Sequence, residues 1–141
     1  MDHILSWVVF LPIMVVPILW LLPANKAKWV ALFITIADFI VAIPLFTGFD
    51  RLKVGVDDIA GMQFKETLEW IPSLGIKYSL GVDGISITMI LLTLIIGVVA
   101  ALASWNINKL ERGYFAMFLL LQTAMLGVFV ALDLILFYLF W

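Results

Sequence analysis

The sequence predicts an all-α polytopic membrane protein: four transmembrane helices and the start of a fifth, with an external β-hairpin between helices 2 and 3. Three observations predict it. Apolar residues make up 65% of the 141 positions and charged residues 13%, against roughly 45–50% and 25% in soluble domains, so too little polar surface exists to cover a globule in water. The apolar residues gather in runs of about twenty, the length that crosses a hydrocarbon core about 30 Å thick. A single long polar stretch, Asp50 to Ser79, interrupts them.

The spans are Ile4–Leu22, Trp29–Phe46, Ile85–Ala103 and Tyr114–Ala131. The first stands where a signal peptide would, but it lacks a basic flank and an Ala-x-Ala cleavage site, and it exceeds the usual apolar core of roughly 7–15 residues. It is expected to be retained. From Tyr114 to Trp141 the apolar run is 28 residues, about 42 Å of helix, which modest tilt does not absorb. Asp133 is the only charged residue in that stretch and sits where the fourth span should reach the surface. A tight turn is expected there, with Asp133 capping a fifth, incomplete helix over 134–141.

Orientation follows from the lysines and arginines of the short loops, because positive residues near span ends are retained on the cytoplasmic side. Lys26 and Lys28 follow the first span, and Lys109 and Arg112 follow the third against Glu111. Both loops are expected in the cytoplasm, which puts the amino terminus and the 50–79 segment outside. His3, the only histidine, is read as a solvated bystander near the chain end.

Within the polar segment, even positions from Met62 to Trp70 read Met, Phe, Glu, Leu, Trp, and Ile76, Tyr78, Leu80 and Val82 alternate with polar or small residues. Period two means strands. Ile71 to Gly75 holds Pro and Gly suited to the connection, which gives a β-hairpin on the outer membrane surface. A two-stranded ribbon is marginal alone, so its apolar edge needs cover, from its own helices or from a neighbouring subunit. In the spans, Gly97-x-x-x-Ala101, Ala100-x-x-x-Ser104 and the series Thr123, Gly127, Ala131 are faces where backbones can approach closely.

Two polar residues lie deep. Asp38 is near the centre of the second span, where a charged side chain costs at least about 2.5–3.5 kcal/mol, so it should face protein or water or else be protonated. It is a proton-path candidate, or a neutral carboxyl bonded to an adjacent helix. Gln122 in the fourth span is an interhelical hydrogen bond or a second proton-path candidate that positions water. Asp83, in Gly-Val-Asp-Gly before the third span, is placed to cap that helix.

Other chemistry is absent from the sequence. There is no cysteine, so thiolate metal sites and iron–sulfur ligation by this chain are excluded. One histidine cannot make a two-histidine ligand set, and no GxGxxG, P-loop or HExxH motif occurs. No metal site, cofactor site or catalytic residue is expected within the chain, and a net charge of −2 without a basic run sets nucleic acid aside.

Leu74 to Ser86 (LGIKYSLGVDGIS), Tyr114-Phe115, and Leu126 to Trp141 (LGVFVALDLILFYLFW) resemble the subunit M family of respiratory complex I, NADH:quinone oxidoreductase. That family is similar to mitochondrial subunit 4 and to Mrp-type cation/proton antiporter subunits. The resemblance implies that residues 1–141 are the amino-terminal part of one antiporter-like transmembrane domain, about the first third of such a subunit. It implies an external hairpin tying adjacent antiporter-like subunits together, and a place in an energy-transducing membrane, the bacterial inner membrane above all. It also implies proton translocation, with NADH, flavin, iron–sulfur clusters and quinone held by partner subunits. Family members carry a relay glutamate directly after the Phe-Trp pair and lysines on later spans. The chain ends at Trp141, so none of these can be assigned here, and a natural continuation with glutamate is expected. A Mrp-type sodium/proton antiporter subunit and a scaffold-only membrane protein are the alternatives.

Overall fold

The computed structural model describes residues 3–50 and 61–141. The first part of the long polar segment, with Asp57 and Asp58, lies outside the described residues. Four helices are long and apolar enough to cross a membrane: α1 (Ile4–Leu21), α2 (Ala27–Thr47), α3 (Gly84–Ala103) and α4 (Glu111–Val130), followed by the short α5 (Leu134–Phe140). Strands β1 (Gln63–Ile71) and β2 (Ile76–Val82) form an antiparallel hairpin between α2 and α3. Helix ends fall within three residues of the hydropathy limits. The largest offset is at α4, which begins at Glu111, three residues ahead of the expected Tyr114.

Helix α1 packs chiefly against α4 and α2, and α2 against α3. Pro12 and Pro17 lie inside α1 and Pro44 inside α2, which membrane helices tolerate because neighbouring groups re-satisfy the freed carbonyls. The core divides into two apolar clusters. One, near the hairpin, includes Leu5, Val8, Leu45, Leu80, Ile90, Leu94, Leu126 and Val130; the other, near the short loops, is Leu19, Ala27, Ala31, Phe115, Ala116 and Leu119. Large apolar side chains such as Phe33, Val99 and Met117 cover the outer faces, a surface suited to lipid or to further helices and unsuited to water.

At one end, Trp29 meets Trp105 edge-on with ring centroids 4.7 Å apart, and Lys28 Nζ sits 5.5 Å from the Trp105 ring centre. These contacts hold the α1–α2 and α3–α4 loops together. At the other end the hairpin lies across the bundle. Its register pairs Glu66 with Leu80, Leu68 with Tyr78 and Glu69 with Lys77, with an irregularity between Gln63 and Glu66. The Leu132 amide donates to the Ser79 carbonyl at 2.9 Å, and Leu80 pairs with Ala131. The α4–α5 turn therefore extends the β2 edge. Helix α5 folds back on α4 because Gly127 has no side chain where the Phe140 ring lies.

Candidate functional site

Five buried polar residues of the spans, Thr35, Asp38, Thr93, Gln122 and Thr123, occupy the mid-height of α2, α3 and α4, between the two apolar clusters. Threonine is cheap there. Thr35 and Thr93 return their hydroxyls to the Leu32 and Met89 carbonyls of their own helices. Asp38 and Gln122 cannot do this, and the structure brings them together: Gln122 Nε2 donates to Asp38 Oδ2 at 2.9 Å. Asp38 is 0% exposed and Gln122 1%.

The pair is only half satisfied by the chain. Asp38 Oδ1, Gln122 Oε1 and Thr123 Oγ1 have no hydrogen-bond partner among the described residues. A carboxyl group holds or releases one proton, and an amide presents either an N–H or a carbonyl to it. With the N–H donating, Oδ2 is the acceptor and Oδ1 is left without a partner among the described residues. The amide lies against α3, where a Cβ built on Gly97 would stand 2.9 Å from Gln122 Oε1 and 3.2 Å from Cδ. Only glycine leaves that volume open.

A second polar cluster lies at the hairpin end. Glu66 of β1 is buried and reaches the first turn of α1, where its Oε1 accepts from the Leu5 amide at 2.7 Å and its Oε2 from the Ser6 amide at 3.3 Å. Ser6 Oγ donates to Glu66 Oε2 and shares a 2.8 Å hydrogen bond with Tyr78 Oη. His3, the residue before α1, makes no side-chain cap, so a carboxylate 60 residues away satisfies amides that a helix start leaves open. His3 itself is 58% exposed at its side chain, with Nδ1 3.6 Å from Glu66 Oε2. Burial pushes the Tyr78 phenol above its ordinary pKa; the Ser6 hydrogen bond works against that and the Glu66 charge adds to it.

The other two aspartates stand at helix starts. Asp83 Oδ1 accepts from the Ile85 and Ser86 amides at 3.1 and 2.6 Å, before α3. These bonds, that of Ser86 foremost, hold its carboxyl below the usual carboxylate range, against a smaller opposing effect of burial. Asp133 Oδ1 accepts from Ile135 and Leu136 at 2.9 and 3.3 Å, before α5.

Sequence reasoning singled out Asp38, Gln122, Asp83 and Asp133 one by one, without pairing the first two. It missed Glu66 as a clamp and Gly97 as the floor beneath Gln122. The one available signal for Glu66 was its phase, since it shares the even positions of β1 with Phe64 and Leu68.

Residues 59–132 match the family described as NADH-ubiquinone oxidoreductase chain 4, amino terminus. The chain is 41% identical over 147 aligned residues to NADH-quinone oxidoreductase subunit M of Rhodobacter capsulatus, covering 99% of this chain and 27% of that protein. It is 37% identical to NAD(P)H-quinone oxidoreductase chain 4 1 of Synechococcus elongatus, covering 97% of this chain and 25% of the relative. It is 34% identical to the chloroplastic NAD(P)H-quinone oxidoreductase chain 4 of Chara vulgaris, covering 97% and 27%. The chain thus spans about a quarter of the length of the relatives it matches.

Proposed function

This chain belongs to the NADH-ubiquinone oxidoreductase chain 4 family, and from that premise we propose that it serves as the amino-terminal part of a proton-translocating, antiporter-like membrane subunit of an NADH:quinone oxidoreductase. NADH oxidation, flavin and iron–sulfur electron transfer and quinone reduction belong to partner subunits. A chain without cysteine and with one histidine offers thiolate and imidazole redox centres little to bind. Its own contribution is to proton movement across an energy-transducing membrane, the bacterial plasma membrane in this reading, with the amino terminus and hairpin outside.

Asp38 and Gln122 are the groups we assign to that movement, as accessory members of a proton path. The observation that carries the assignment is the buried carboxyl at mid-span, held at one oxygen by Gln122 and open at the other. A side chain so costly to place in a bilayer is a functional hypothesis by default. The hairpin is assigned to docking a neighbouring antiporter-like subunit. Leu68 and Trp70 of β1 are about half exposed, and with Phe10, Tyr78, Leu136 and Phe140 they line an apolar groove of about 630 Å³.

The test is Asp38→Asn in the full-length subunit within the assembled complex. Asparagine keeps the size and much of the hydrogen bonding but cannot ionise. Reconstituted vesicles are expected to oxidise NADH with less proton pumping per turnover. Pumping equal to wild type, with normal assembly, would overturn the assignment of Asp38.

A further inference from the structure

We propose that Gly97 is a positioning residue for the Asp38–Gln122 pair, its missing side chain providing the volume in which the Gln122 amide lies and aims at Asp38. This inference deepens the proton-path reading and rests on it only for its effect on pumping. The position of the amide is a matter of geometry. Three helices meet at the site, with Asp38 from α2, Gln122 from α4 and Gly97 from α3. A Cβ on Gly97 would stand 2.9, 3.2 and 3.5 Å from Oε1, Cδ and Nε2 of Gln122. All three atoms of the amide tip therefore face the Gly97 Cα, and the tip is the part that reaches Asp38.

A methyl group at Gly97 has no open volume to enter. Gln122 is 1% exposed and Asp38 0%, so the amide has no route to solvent. The amide tip, the far end of a flexible side chain, must then give way to the added methyl, and its displacement is felt at the 2.9 Å bond to Oδ2. Helix propensity does not confuse the result, because alanine is the better helix former. Nor is Gly97 merely one of a row of small residues, since the atom nearest its missing side chain is an unpartnered buried oxygen, Gln122 Oε1.

The experiment uses the full-length subunit in the assembled complex, with Gly97→Ala alone and in a background where the pair's lengths are exchanged, Asp38→Glu with Gln122→Asn. The exchange keeps the summed reach across the pair while drawing the amide one methylene back from α3. The first readout is the infrared carboxyl band of residue 38, identified by its absence in Asp38→Asn; the second is pumping. Gly97→Ala alone is expected to shift the band and reduce pumping. In the exchanged background the same substitution is expected to shift neither further, and any assembly defect of Gly97→Ala should be rescued there. Equal damage in both backgrounds would show that Gly97 serves only the approach of α3 to α4, and would overturn the proposal. So would an unshifted band in Gly97→Ala alone. Should Asp38→Asn pump normally while Gly97→Ala still shifts the band, the proton-path assignment falls and the positioning role stands.

Discussion

Gln122 reaches Asp38 across 84 residues of chain, its Nε2 donating to Oδ2 at 2.9 Å, and so joins α4 to α2 at the level where the apolar core is interrupted. Among the described residues it is the one buried hydrogen bond between side chains of different spans. The Ser104–Tyr114 hydroxyl pair, which links α3 to the start of α4, is exposed. The site is thus defined by chemistry that the surrounding layers of leucine, valine and alanine cannot replace.

The pair should be measurable as an energetic coupling. Gln122→Leu leaves the Asp38 carboxyl without its described partner, whereas Asp38→Leu with Gln122→Leu removes both polar groups. A double-mutant cycle on the full-length subunit, read from unfolding in mixed detergent, is expected to give a coupling between about 0.6 kcal/mol, the average for hydrogen bonds between membrane helices, and about 1.7 kcal/mol, the largest such value. A coupling indistinguishable from zero would mean that the 2.9 Å contact does not hold the helices.

A second local effect is expected at Glu66. Glu66→Ala strips the first turn of α1 of the acceptor used by Leu5 and Ser6, and loss of a helix cap costs about 0.5–2 kcal/mol. Hydrogen exchange at the Leu5 and Ser6 amides and along β1 should accelerate together, because the same carboxylate holds both. Glu66→Gln retains one acceptor oxygen and should fall between the two. Acceleration confined to the hairpin, with α1 unchanged, would contradict the clamp.

The sequence made the spans legible because their signal is redundant: some twenty residues each vote for the same state, and single errors do not matter. The hairpin was readable for a related reason, since Ile76, Tyr78, Leu80 and Val82 keep strict alternation up to Asp83. The pairings were not. Nothing in a one-dimensional pattern says that residue 38 meets residue 122, or that a strand glutamate caps a helix sixty residues earlier, because such contacts depend on how the helices rotate against one another. Glu66 was further obscured by the irregular register between Gln63 and Glu66, where Phe64 takes a positive φ of 54° and local twist re-aims the side chains. Gly97 was visible only as a small residue in a packing stripe, since its meaning lies in the long side chain opposite.

Asp83 provides a test by pH. Its folded-state pKa is lowered, chiefly by the Ser86 amide, so the cap is fully present above the ordinary unfolded value of about 3.9 and is lost as pH falls through the lower folded value. The protection of the Ser86 amide, taken relative to its intrinsic exchange rate at each pH, should hold through the ordinary carboxylate range as pH falls from neutrality and be lost only below it. Asp83→Asn should keep much of the cap and remove this acid dependence, while Asp83→Ala should cost about 1 kcal/mol at neutral pH. An acid transition centred at the ordinary value would contradict the hydrogen-bonded cap.

The last prediction concerns which end of the bundle faces which compartment. Contacts fix the relative arrangement: Lys28, Trp29 and Trp105 gather the two short loops at one end, and Glu66 with Leu5 and Ser79 with Leu132 gather the hairpin, the start of α1 and the α4–α5 turn at the other. Only the sign is left to the charges. Lys26, Lys28, Lys109 and Arg112 stand at the loop end against one acid, Glu111, and translocating that end would oppose the bias that retains basic loops inside. Because the chain has no cysteine, single cysteines can report this directly. Cysteines at the exposed Asn25 and Asn108 are expected to react with an impermeant thiol reagent only from the cytoplasmic side, and one at the exposed Ser73 in the hairpin turn only from outside. Labelling of Asn25 and Ser73 from the same face would break the four-span arrangement itself, whereas an inverted pattern would keep the fold and place the basic loops outside, against the retention rule.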